Sequence, residues 1–485
     1  MKYGHGPDAP SPVGRGSHVV TTALHRAIDF LPIGNGVTGS HSKDPVGSST
    51  HEMREDVESP MSLAKRSSLL LAIARVLYVN GQTTDETLAA VGRLARSLRL
   101  RATMVPRWGE LHLEAEDRDA RLVSVVAANP SGVHMIRVAS IARKVEDIEV
   151  GRLAPASAMN EVAAIAQAPP LPTWLFALAA AVGAVSLAMI FGVRQPGAVA
   201  LIFLSAGAGG IVRRLLAQHS TNLYVQPLAA SLLAGLIGGL AVHWGESSPL
   251  RLVALCPCLV LVPGPHLLNG ALDLLQSRIQ IGAARLLYAG LVLAAIATGL
   301  LLGLALVGQT LTVAPLGRTV PLWQDMVFAG VVAACYGIYY SMPLRMLAWP
   351  AAVGMVAHAL RFVALSQLHV SVTIGVLMAS IFVGLVITPV ARRRHLPFAA
   401  IGFASVVSML PGSYIFRMAG GLVRISDGSP PTVHLITGTI AGGATAILVI
   451  LAMGIGLLGP KLLLDGLAEK SRWSGVEPES FSLYG

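Results

Sequence analysis

The chain has 485 residues, 53% of them hydrophobic and 13% charged, against about 25% charged in an average soluble protein, and it carries 50 glycines. That balance excludes an ordinary soluble globular protein and points to a polytopic membrane protein with a smaller polar part. Residues 1–168 hold 19 Lys/Arg and 18 Asp/Glu, whereas residues 169–485 hold 17 and 8, so the net charge of +10 arises beside the apolar segments. Topology and anionic lipid explain that charge without a nucleic-acid partner.

Residues 1–60 are rich in Gly, Ser, Pro, His and charge without sustained periodicity, and are expected to form a disordered tail. Its histidines are too scattered for a metal site. From Ser62 the pattern turns helical, with Leu63, Leu70, Leu71, Ala74, Leu77 and Tyr78 in phase until Asn80-Gly81. A second helix follows the cap Thr83-Thr84-Asp85-Glu86. Three short strands are predicted at 102–106, 110–114 and 122–127, then helices at 133–150 and 157–167. Together 61–168 reads as a small cytoplasmic α/β domain. Glu114, Glu116, Asp117 and Asp119 invite an acid/base reading, but they bracket a turn where charge is expected anyway.

Ten apolar segments follow, at about 171–191, 197–212, 224–243, 250–275 and 282–308, then 322–341, 346–361, 370–390, 397–422 and 433–458. Each approaches the ~20 residues that cross a bilayer core. The expected fold is therefore a polytopic α-helical membrane protein of ten spans. The small α/β domain precedes a first five-span repeat (169–312) and a second (313–460), and a cytoplasmic tail (461–485) ends the chain. Alternate loops hold Arg213, Arg214, Arg278, Arg285, Arg345, Arg392, Arg393 and Arg394 on one side, and Arg194, Arg251, Arg318, Arg361 and Arg424 on the other. The excess of positive charge places both termini in the cytoplasm. Five spans per repeat then make the two copies inverted.

Each copy contains one Pro-Gly break inside a membrane-length run, Pro263-Gly264 and Pro411-Gly412, with the same offset of 148. Proline removes a donor and clashes with the preceding turn, and glycine permits the torsions of a restart, so a broken helix is expected at mid-depth. Pro265 suits an early position in the first new half-helix, and Ser413 suits the cap of the second. Half-helix ends attract anionic groups. The offset also pairs Asn269 with Arg417, about 8 Å beyond each break at ~1.5 Å per residue. Arg417 is placed to hold a carboxylate, and Asn269 to bond an amino or hydroxyl group. The bland roles open to them are snorkelling for Arg417 and an interhelical bond for Asn269.

Asp273 is the main carboxylate within a span, suited either to carry a coupling proton or to pair with Arg278 or Arg285. Asp325, at a span start, reads as a cap. His266, His358 and His434 read as structural hydrogen-bonding residues, and Cys256, Cys258 and Cys335 as packing residues. No metal, cofactor or catalytic group is expected.

The segments VLYVNGQTTDETL (76–88), LVPGPHLLNGALDLL (261–275) and MLPGS (409–413) resemble the threonine/serine exporter family, over about residues 62–460. One departure is Leu-Leu-Gln-Ser-Arg after Asp273, where the family would have a glycine-containing turn. The resemblance implies an inner-membrane exporter of small hydroxy amino acids driven by the proton motive force. Its partners would be the amino acid, protons and the lipid bilayer, with homo-oligomerisation left open and no nucleic acid. Relatives associated with dicarboxylate export make succinate a second candidate substrate. A passive channel and a membrane-anchored enzyme are also open, although the polar domain has no nucleophile motif, phosphate loop or metal spacing.

Overall fold

The computed structural model of the chain describes residues 61–245, 251–311, 320–427 and 431–473. The expected tail at 1–60 and the end of the chain after 473 lie outside the described residues.

The chain first builds an α/β unit. Helix α1 (Leu63–Val79) starts where the Ser62 side chain accepts from the Lys65 N–H, and it ends where Asn80 turns its amide back onto the Val76 carbonyl at 2.7 Å. Gly81 follows at φ +92°, a conformation that admits glycine without strain. Helix α2 (Thr84–Ser97) is capped by Thr83 accepting from Glu86 N at 3.3 Å. Strands β1 (Arg101–Arg107), β2 (Gly109–Glu116) and β3 (Arg121–Ala128) form an antiparallel meander in the order β1-β2-β3. Leu111, Leu113 and Ala115 alternate along β2 and are fully buried beneath the helices. The acidic turn after β2 is structural, because Asp117 accepts from the Asp119 and Ala120 N–H groups and pairs with Arg66 at 2.7 Å. Helices α3 (Met135–Glu149) and α4 (Pro155–Gln167) complete the unit.

The remainder is helical. Eight helices among the described residues are long and apolar enough to cross a membrane: α5 (Thr173–Ile190), α6 (Pro196–His219), α7 (Val225–Gly245), α10 (Ile279–Ala305), α11 (Leu322–Tyr339), α12 (Ala348–Ser366), α13 (Val372–Arg394) and α16 (Val433–Trp473). Two bent pairs bring the count to ten if each is one span. They are α8 (Arg251–Leu259) with α9 (Gly264–Leu275), bent by 49°, and α14 (Phe398–Val406) with α15 (Gly412–Ser426), bent by 66°. One boundary differs from the sequence reading in a way that matters. Helix α6 runs to His219 rather than stopping near 212, so Arg213 and Arg214 lie on a helix and not in a loop.

The same neighbours recur in both halves. α7 packs on α10 as α13 packs on α16, α5 on α6 as α11 on α12, and α9 on α10 as α15 on α16. Small residues permit the two tightest of these approaches. Ser231 and Gly235 meet Gly299 and Gly303, and Ser380 and Gly384 meet Gly456. A Ser-x-x-x-Gly stripe thus serves each half, as expected where helices associate through close backbone contact rather than hydrophobic burial.

The α/β unit docks on the spans through backbone ends. Met135 and Ile136, in the first turn of α3, donate to the carbonyls of Tyr340 and Ser341 just past α11, at 2.9 and 3.1 Å. Orphan donors of one helix are thereby satisfied by orphan acceptors of another.

Candidate functional site

The two breaks form as Pro and Gly dictate. At the first, the Gly264 N–H turns back to the Val262 carbonyl at 2.9 Å, Pro265 has no N–H, and His266 and Leu267 donate to the Pro263 carbonyl. Contrary to the expectation of an exposed positive end, the donors of this half-helix are consumed locally. At the second, a 3-10 turn over Val407–Met409 leads to Pro411 as the N-cap. Ser413 therefore does not cap the helix, because the chain has already entered helical geometry at Gly412.

Each break packs against the other pair. A Cβ on Gly264 would lie 1.8 Å from the Phe403 ring of α14, and one on Gly412 would lie 2.4 Å from Leu259 at the end of α8. The Leu259 carbonyl, whose i+4 donor is lost to Pro263, keeps only a long bond from the Val262 N–H at 3.5 Å and accepts from the Tyr336 hydroxyl of α11 at 2.8 Å. Within a bilayer such a group has no water to turn to, so the tyrosine replaces the missing helical donor.

The residues five and nine positions past the first break face the α/β unit. Asn269 is buried and donates to the Gly81 carbonyl at 3.2 Å, with no bond to Arg417. The sequence pairing of Asn269 with Arg417 is thus not a contact. An advance of five residues turns Asn269 toward the 81–85 segment, while Arg417, half-buried on α15, lies 5.8 Å from its own helix's Tyr414 ring. Asp273 stands 3.3 Å from Arg285 and 3.7 Å from Arg278, the ion pairs that the sequence offered as its second role. Both arginines reach on to α2: Arg285 to the Thr84 hydroxyl at 3.5 Å, and Arg278 to Asp85 at 2.6 Å. Gln276 also bonds Asp85. Where a glycine turn was expected, Ser277 adopts φ +60° and swings its two neighbours onto α2.

A cavity of about 270 Å³ opens beside the first break. Its wall combines Leu261, Val262, Pro263, Pro265 and His266 at the break, Arg213 and Arg214 from α6, Tyr288 from α10, Tyr339 and Tyr340 at the end of α11, and the 131–134 turn. Of the substrate-contacting residues expected from sequence, Pro263 alone lines it. The Arg213 guanidinium lies 5.1 Å from the Tyr339 ring, and Arg214 lies 4.4 Å from Phe176 while donating to the Leu171 carbonyl at 3.3 Å. Four lining groups are buried without a hydrogen-bond partner: Arg213 Nη1, His134 Nε2 and the hydroxyls of Tyr339 and Tyr340. Leaving each such group unpaired costs about 1–3 kcal/mol. Burial, with Arg137 and Arg214 nearby, pushes the His134 imidazole down to about 4. The neutral ring accepts the Arg137 N–H at Nδ1, which assigns its proton to Nε2.

A second polar group lies within the spans. Asp325 does not cap α11, whose N-cap is Pro321; its carboxylate sits 2.7 Å from His358 Nδ1 on α12, with both side chains fully buried. Neither residue is distinctive alone in sequence, because 33 positions separate them. The overlooked signal was two ionisable residues in neighbouring apolar segments, both of which must find partners there. The cavity had a similar signal in Val-Arg-Arg-Leu-Leu, an amphipathic continuation of α6.

Among the described residues, no group of three or more His, Cys, Asp or Glu is placed to hold a metal ion.

Comparison with known proteins connects this architecture to transport. The family model for threonine/serine exporters matches residues 68–307, and a second model, described as threonine/serine exporter ThrE, matches residues 325–463. A Mycobacterium tuberculosis (strain H37Rv) protein named a probable threonine/serine exporter is 26% identical over 426 residues, covering 82% of this chain and 79% of the relative. No solved structure matches. Both breaks, the cavity beside the first and the buried Asp325–His358 pair fall inside the matched segments, and the chain belongs to the threonine/serine exporter family.

Proposed function

We propose that the protein is a secondary active exporter of threonine and serine across the inner membrane, driven by the proton motive force. It comprises two inverted five-span repeats (169–312 and 313–460) behind a cytoplasmic α/β domain (61–168), with both termini in the cytoplasm. The observation that carries this reading is the recurrence of one packing pattern in both halves around two mutually packed broken helices, Gly264 against Phe403 and Gly412 against Leu259. Discontinuous helices at a repeat interface are where secondary transporters hold substrate and coupling ion. Family membership supports the substrate class, and the protein acts as a carrier rather than an enzyme.

The proposed substrate path runs past Pro263, Gly264, Asn269, Pro411, Gly412, Ser413 and Arg417. Two buried carboxylates in the spans are available for the coupling proton: Asp273, the sequence choice, and Asp325 beside His358. The two sites differ in a useful way. Asp273 faces two guanidinium groups, which hold their protons permanently, whereas Asp325 shares a buried hydrogen bond with an imidazole that can exchange a proton with it.

Proteoliposomes carrying the purified chain test the reading. Labelled threonine should move faster than in empty vesicles and accelerate when a pH gradient is imposed. Movement of succinate without threonine would assign dicarboxylate export, and threonine flux indifferent to the gradient would assign a passive channel.

A further inference from the structure

Buried polar groups are almost always paired, so orphans gathered on one wall call for a ligand that pairs them. The cavity beside the first break gathers four: Arg213 Nη1, His134 Nε2–H and the Tyr339 and Tyr340 hydroxyls. Tyr340 is 6% exposed and is held by the Met135 N–H bonded to its carbonyl, so its hydroxyl cannot simply swing to water. The wall has donors in excess. A guanidinium and a neutral imidazole N–H point to an anionic group, and among the described residues no Asp or Glu lines the cavity. Arg214 is committed to the Leu171 carbonyl and the Phe176 ring, which leaves Arg213 as the lining arginine for the ligand and so selects one carboxylate rather than two.

The break itself adds an acceptor. The Leu261 carbonyl, also on this wall, receives no backbone N–H, because residue 265, four positions on, is proline. One cation, two hydroxyls and a freed carbonyl match the carboxylate, the side-chain hydroxyl and the ammonium of a small hydroxy amino acid. Its eight or fewer heavy atoms fit in a cavity of about 270 Å³.

We propose that this cavity is the substrate subsite, with Arg213 receiving the α-carboxylate, Tyr339 and Tyr340 reading the side-chain hydroxyl, and the Leu261 carbonyl taking the ammonium. The inference rests on the export reading and sharpens it: the carboxylate is held by Arg213 of α6, not by Arg417. The tyrosines explain selection for a hydroxyl, since a site built to bond that group penalises an analogue lacking it.

The test uses the full-length protein in detergent and in proteoliposomes, with labelled threonine, its isostere valine, and succinate as probes. Arg213→Gln should weaken threonine binding about 10–100-fold, as expected when a charge-assisted contact is lost. Arg424→Gln, an exposed arginine of α15 outside the proposed path, should leave binding within about twofold. Tyr340→Phe should reduce the threonine-to-valine preference about tenfold or more while largely preserving valine binding. Wild-type protein that transports threonine, together with an Arg213→Gln variant that binds it normally, would overturn the subsite and leave export standing. Wild-type protein that neither binds nor moves threonine would overturn the export reading itself. If Arg213→Gln fails to elute as a folded monodisperse species, Tyr340→Phe carries the test alone, and an unchanged threonine-to-valine ratio refutes the assignment.

Discussion

The contact between the first break and α14 sets a steric prediction. In Gly264→Ala the new methyl would lie 1.8 Å from Cε2 and 2.0 Å from Cζ of Phe403, where normal carbon contact is about 3.5–4.0 Å. The ring or the break must therefore retreat by about 2 Å. Retreat is restricted: Phe403 is 1% exposed, and its ring is 5.9 Å, edge-on, from Tyr336, which is itself tied to the Leu259 carbonyl. Overpacking of a closed site of this kind costs about 1–3 kcal/mol or somewhat more. Phe403→Ala alone removes a buried ring and should cost about 3–5 kcal/mol. The double variant should be more stable than the sum of the two losses, with a coupling of about 1–3 kcal/mol, because the methyl then enters the space the ring has left. Thermal unfolding in detergent, followed by intrinsic fluorescence, measures all three variants against the parent. Gly264→Ala with unchanged stability, or losses that add without coupling, would refute the packing of the break on Phe403.

Asp273→Asn should cost about 3–5 kcal/mol, since it leaves the 1%-exposed Arg285 without its carboxylate; a second change, Arg285→Met, should restore much of that loss, and failure to do so would remove the pair from the fold's support. Asp325→Asn should abolish the response of threonine flux to a pH gradient while leaving threonine exchange at equal pH intact, and an unchanged pH profile would return the Asp325–His358 pair to a structural role. The folded His134 imidazole is depressed to about 4 from an ordinary 6.5, so its stabilising contribution is complete above pH 6.5 and declines as pH falls toward 4, where the folded ring also protonates. His134→Asn keeps a cap for α3 and should flatten that part of the curve of melting temperature against pH; an identical slope in parent and variant would refute the assignment.

Much of this architecture was legible from local chemistry. Ser62 and Thr83 announce helix starts, Asn80-Gly81 a stop, and alternating apolar residues the three strands, because each signal acts within a few bonds of itself. Pro263-Gly264 and Pro411-Gly412 likewise announce breaks, since a missing donor and a missing Cβ are properties of the residues themselves. Partnership was not legible. The offset that matched Asn269 with Arg417 measured distance along each chain segment but not the direction each side chain faces, and packing turned Asn269 to Gly81 instead. Arg213 read as a loop charge until α6 continued through it, and Asp325 read as a cap until α12 brought His358 to 2.7 Å.

By itself, then, the sequence determined where helices begin, end and break, and how many segments are long enough to cross a membrane. Tertiary structure alone decided which buried polar groups meet and which are left to a ligand. The physical reason is that capping, propensity and apolar run length are local, whereas pairing in a bilayer protein depends on the rotation and depth of helices joined far apart along the chain.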